Sequence, residues 1–214
     1  MRTLILLALI HGLTWTACFG NPLAIDPNHR PCEMLAEQVV IHVGDHSSVV
    51  KGRYRFRQKE DHRFVEKAKH VTVYVPVLLP HSTNAEAESP TLQVGARQVS
   101  VYIRNDIATG DEPKSVELPK GWRMHSHEYN IPLACIGREF EISVEYIQPH
   151  SSKRRVGYVP ILPPTDTKTA RITFIGIEGR KLKKPSLLSI FHKGNDSISF
   201  VPKDRELITV ASSR

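Results

Sequence analysis

Alternation with a period of two residues dominates the chain. Over residues 50–57, Val50, Gly52, Tyr54 and Phe56 alternate with Lys51, Arg53, Arg55 and Arg57. An extended backbone then puts the first set on one face and four cations on the other. Phe140, Ile142, Val144 and Tyr146 alternate in the same way with Glu139, Glu141, Ser143 and Glu145. Both patterns belong to strands that bury one face and wet the other. Segments rich in β-branched residues and bounded by Gly, Pro, Asn or Asp predict further strands over 70–79, 98–104, 129–135, 155–161, 170–177, 187–192, 197–201 and 207–210. Lys193-Gly194-Asn195-Asp196 predicts a hairpin turn between two of them. Helical spacing is confined to a short turn over 32–36. Short strands repeated at this spacing predict an all-β fold, a single-domain antiparallel β-sandwich.

Two stretches end alike, Tyr74-Val75-Pro76-Val77-Leu78-Leu79-Pro80 and Tyr158-Val159-Pro160-Ile161-Leu162-Pro163-Pro164. Proline lacks the N–H that a ladder needs, so both segments are expected at sheet edges. The echo raises an internal duplication, which two short matches do not establish. The polar stretches 80–90 and 106–121 are expected to be loops.

The N-terminus carries an address. Arg2 precedes an apolar run over 4–10, and small residues follow at Ala17, Cys18 and Gly20. That order is what a secretory signal peptide needs, and the run is too short to span a bilayer. Cys18 offers the alternative of a lipid anchor, but Trp15 stands three residues before it, where a lipoprotein signal carries an aliphatic residue. The expected organisation is a signal peptide over 1–20, an N-terminal segment over 21–44 tethered to the core, and the β-sandwich over 45–211. The expected location is periplasmic or secreted. No later stretch has 18 consecutive apolar residues, so no transmembrane segment is expected.

Charge and cysteine content narrow the picture further. The formal net charge is +7, falling to +6 without Arg2. Such a surplus favours anionic surfaces such as acidic glycans or other envelope components, and says nothing about fold. Aromatic residues make up 7% of the chain and no recognition motif is present, so no nucleic-acid partner is expected. Of three cysteines, Cys18 would leave with the signal. Cys32 and Cys135 would then meet in an oxidising compartment, where a disulfide between them is expected.

The strand Val50-Lys51-Gly52-Arg53-Tyr54-Arg55-Phe56, the later Gly137 before a second alternating strand, then Gln148 and the Val159-Pro160 segment together resemble a VIT domain. VIT domains are extracellular β-sandwiches of inter-alpha-trypsin inhibitor heavy chains and their relatives. The likeness spans about residues 45–165 and implies a scaffold or interaction module without catalysis. The chain departs from it in its charged loops over 59–69 and 106–121, in the extra tail over 170–210, and in lacking a following von Willebrand type A domain.

Three constellations are candidates for function. Lys51, Arg53, Arg55 and Arg57 recur about 6.7 Å apart on one face, twice the strand rise, which suits a repeating anionic ligand. The same cations would be neutralised if the carboxylates at Glu139, Glu141 and Glu145 lay opposite them. His125 and His127, with Glu128, offer ligands for a metal or a hydrolytic site, but no H-E-x-x-H spacing fixes them and no cofactor is expected. No G-x-S-x-G elbow or phosphate loop appears. Asn195-Asp196-Ser197 matches a glycosylation acceptor, of consequence only in a eukaryotic secretory pathway. The leading expectation is a non-catalytic exported module that binds a protein or an anionic glycan. The alternative is an exported hydrolase or metal-dependent enzyme around His125, His127 and Glu128.

Overall fold

The computed structural model describes residues 24–25, 32–58, 70–81, 88–95, 97–98, 122–150, 155–158, 170–177, 179–183, 190–193, 196–200 and 208–213. The leader with Cys18, most of the two polar stretches, and the Val159–Pro164 half of the proline echo lie outside these residues. The fold is all-β. In chain order the strands are β1 (Ala24–Ile25), β2 (Cys32–Val43), β3 (Ser47–Gln58), β4 (His70–Pro80), β5 (Thr91–Val94), β6 (Arg97–Gln98) and β7 (Trp122–Pro132). They continue with β8 (Glu139–Pro149), β9 (Arg155–Tyr158), β10 (Ala170–Gly176), β11 (Lys181–Lys183), β12 (Ile190–Lys193), β13 (Ser197–Phe200) and β14 (Ile208–Ser213).

An eight-stranded sheet in the order β12-β13-β10-β2-β3-β8-β5-β6 forms the body of the molecule, with three-stranded sheets β1-β4-β7 and β11-β14-β9 beside it. Among the described residues every strand pairing is antiparallel save one: β10 runs parallel to β2 from Ala170↔Glu37 to Gly176↔Val43. The inward residues of the large sheet, among them Val39, Ile41, Val50, Phe56, Ile142 and Phe174, join Val73 and Val75 of β4 and Val156 and Val210 of the third sheet in one core. Phe56 and Phe140 stack there with ring centroids 5.6 Å apart. The strict alternation of β3 and β8 is what makes this work, since each strand turns every second side chain inward.

Gly52 has a specific task on the inner face. A Cβ there would overlap the Tyr54 ring and hydroxyl, so the missing side chain is the space the tyrosine occupies. Pro76 and Pro80 sit in β4 beyond the two residues, Val73 and Tyr74, that pair with β1. From Pro76 onward β7 alone is paired with β4 among the described residues, a placement that suits prolines, which have no N–H to give to a second ladder.

Three expectations are corrected. Residues 32–36 are not a helical turn: they open β2, a strand of twelve residues that pairs with β3 along its length. The ladder shifts between Met34 and Ala36, and this bulge breaks the period-two signal. The segment over 21–44 is therefore no tether, because β2 lies in the middle of the large sheet with Val39, Ile41 and Val43 fully buried. The strand expected over 129–135 begins at Trp122 and ends at Pro132, and Leu133–Cys135 is a 3-10 turn. β12 pairs antiparallel with β13 on either side of the hairpin turn expected over 193–196, whose central residues 194–195 lie outside the described residues.

Cys32 and Cys135 are not joined by a disulfide in this structure; both are half-buried against the same core. Cys32 faces Gln58 across the ladder. Gln58 in turn donates from its backbone to the Arg138 carbonyl (2.9 Å) and from its side chain to the Gly137 carbonyl (2.7 Å). The end of β3 thus stands between Cys32 and the backbone leading out of Cys135, and no bridge joins them in this structure.

Candidate functional site

The four cations of β3 project from the outer face of the large sheet, and their partners differ. Cross-strand register sets Lys51 opposite Glu145, Arg53 opposite Ser143, Arg55 opposite Glu141 and Arg57 opposite Glu139. Lys51 Nζ lies 3.2 Å from Glu145, and Arg57 Nη2 lies 2.8 Å from Glu139. Arg57 Nε also donates to the same Glu139 oxygen at 2.9 Å. All four of these side chains are about half exposed, so each pair contributes only about 0.2–1 kcal/mol. Between these rungs Arg53 and Arg55 are exposed and form no ion pair among the described residues. The reason is local for Arg53: the residue facing it is a serine.

The serine also shapes the surface. Ser143 is short and lies between Arg53 and Gln93, which pairs with it from β5. A depression of ≈ 220 Å³ results, lined by Lys51, Arg53, Gln93, Ser143 and Glu145, with Thr91 at its side and the backbones of Gly52 and Val144 in its wall. The lining offers ammonium, guanidinium, amide and hydroxyl donors, with one carboxylate held by Lys51. Such a surface is suited to anions and hydroxyls, and the Ser143 hydroxyl forms no hydrogen bond to the Glu145 carboxylate among the described residues.

The histidine constellation is divided by the pleat. His125 and His127 pair with Val77 and Val75 and share the inward face with Tyr129 and Ile131, whereas Glu128 pairs with Tyr74 on the opposite face. The two imidazoles meet edge to face with centroids 4.7 Å apart, and His127 is buried. Among the described residues no three His, Cys, Asp or Glu side chains are grouped to hold a metal ion. The trio His125, His127 and Glu128 is therefore not a common ligand set, because neighbouring residues of a strand point to opposite sides.

Sequence reasoning missed the buried polar groups. Glu37 is fully buried on the inner face, where Tyr158 donates to its Oε1 at 2.5 Å and Tyr54 lies 3.4 Å from the Tyr158 hydroxyl. Burial raises the Glu37 carboxyl to about 7, against the lowering effect of the Tyr158 hydrogen bond. Burial, with the Glu37 charge behind it, pushes Tyr158 well above the ordinary phenol range. At the start of β3, Ser48 Oγ lies 2.7 Å from His150 Nε2, and burial together with nearby His46 lowers His150 to about 4. Ser48 is 1% exposed, so this pair fastens β3 to the end of β8 and is closed to a substrate. The buried Arg180 is paired with Asp45 of the β2–β3 turn. None of these groups has a local sequence signal, since their partners come from distant strands.

No family model matches the chain. No curated protein matches it either. Among solved structures 78 chains match. One is the native leukotriene A4 hydrolase of Saccharomyces cerevisiae, superimposed with a TM-score of 0.48 at 7% identity over 85% of this chain and 29% of the hydrolase. The chain thus spans less than a third of that neighbour's length.

Proposed function

We propose that this chain is an exported, non-catalytic β-sandwich module that binds an anionic partner on the outer face of its large sheet. The observation that carries the reading is the pair of exposed cations, Arg53 and Arg55, unneutralised between two ion-paired rungs on the same strand. Cations with no internal partner cost nothing to hand to a ligand, whereas Lys51 and Arg57 must first give up a carboxylate. The resemblance to VIT domains belongs to the same reading, as does export behind a cleaved leader over 1–20. In an oxidising compartment closure of Cys32 and Cys135 into a disulfide accompanies it, which requires the end of β3 to give way; what supports it is that both side chains pack against the same core.

The test is binding of the purified protein to dextran sulfate as a function of salt, with unmodified dextran as control. Binding that weakens steeply as salt rises, and that the double variant Arg53→Gln, Arg55→Gln abolishes, is the expected result. Equal binding of both dextrans, or indifference to the double variant, overturns it. Intact mass of the exported protein, with and without reduction and alkylation, checks the leader and the disulfide.

A further inference from the structure

Resting on that reading, the geometry points to a narrower site than the length of β3: we infer that the ligand is an acidic polysaccharide lying across the strands, one acidic sugar residue seated in the Ser143 depression. Charge along β3 is interrupted at both ends by Glu145 and Glu139. Across the strands no carboxylate intervenes. Register aligns Gln38 of β2 with Arg53, Arg53 with Ser143, and Ser143 with Gln93 of β5. Every member of this four-strand row carries a hydrogen-bond donor, none is a carboxylate, and all but the half-buried Ser143 are exposed. At about 4.8 Å between strands the row extends roughly 14 Å.

The shape of the depression selects the ligand. Its ≈ 220 Å³ is less than the roughly 300–1,000 Å³ of clefts that engulf a whole small molecule. It therefore receives one residue of a longer chain whose remainder lies on the open row. Arg53 supplies the charge for a carboxylate, sulfate or phosphate group. Gln93, Thr91 and Ser143 are suited to hydroxyls, and Glu145 accepts from a hydroxyl while Lys51 holds it in place. The lining has no aromatic side chain, so the stacking platform on which single-stranded nucleic acids depend is missing.

Polygalacturonate and dextran sulfate serve as carboxylate and sulfate probes, unmodified dextran as the neutral one, and binding is measured by calorimetry at several salt concentrations. Three outward-facing variants are compared, with thermal melts confirming that each is folded. Arg53→Gln is expected to weaken binding of at least one acidic probe tenfold or more and to lessen its salt dependence. Ser143→Leu, which fills the depression without altering charge, is expected to do the same to affinity and leave the salt dependence unchanged. Arg57→Gln, outside the row, is expected to stay within twofold. If Arg57→Gln weakens binding as much as Arg53→Gln while Ser143→Leu is silent, the ligand runs along β3; the transverse site is overturned and the cationic-face reading stands. If neither acidic probe binds, or dextran binds equally, both fall.

Discussion

The two faces of β3 are built from alternate residues of one strand, yet they treat polar groups in opposite ways. Outside, Lys51 and Arg57 form ion pairs that water and salt weaken, and Arg53 and Arg55 form none among the described residues. Inside, the row through Tyr54 holds Glu37 and Tyr158 in a dry cluster, with a carboxyl raised to about 7. The difference teaches that the inner polar groups are committed to each other and to the fold, while the outer ones are held mainly by water. Burial decides this: an unpaired cation costs little in water, whereas a group out of water must find a partner or change its protonation.

The comparison is tested most severely inside. Phe56→Ala, which empties the stacked Phe56–Phe140 contact, is expected to cost about 3–5 kcal/mol, read by chemical denaturation. Gly52→Ala follows, since the new Cβ must displace the Tyr54 ring; a loss of about 1–3 kcal/mol is expected. A neutral result in either would mean that the inner face is not packed as described.

Titration sharpens the contrast next. The folded state holds the Glu37 proton up to about pH 7, whereas the unfolded chain releases it near 4.5. Between those values the unfolded state binds fewer protons, so this group makes stability fall as pH rises, levelling off above 7. His150 acts in the opposite sense: depressed to about 4 from 6.5, it makes stability fall as pH drops through that window. Glu37→Gln is expected to remove the first slope and leave the second, and His150→Gln the reverse, in melting temperature measured from pH 4 to 8. If the two variants show the same profile, the assignment of the slopes is wrong. The smallest effects belong outside. Arg57→Gln is expected to cost below about 1 kcal/mol, and Arg53→Gln nothing measurable in a thermal melt.

What could be seen in the sequence follows the same division. The alternation in β3 and β8 was enough to assign inward and outward faces, because a half-buried strand writes its period directly into its residues. β2 was opaque: the bulge between Met34 and Ala36 shifts its phase, and Glu37 stands where an apolar residue would be expected. Its partner Tyr158 lies 121 residues away, so no local pattern announces it. The start of β7 was hidden by inward-facing histidines. The unmatched Arg53 was half visible, since Ser143 interrupts the outward glutamates of β8, but which cation the serine faces depends on a register that only the folded ladder supplies.

The parallel pairing of β10 with β2 has a consequence for how the chain reaches its native state. β2 can form its hairpin with β3 as soon as residue 58 is available, but its other edge stays open until residues 170–176 arrive. Closing that gap brings together segments more than a hundred positions apart, an entropically late event. An unpaired, partly apolar strand edge is a template for a neighbouring chain, so the interval between the two pairings is one in which aggregation competes with folding.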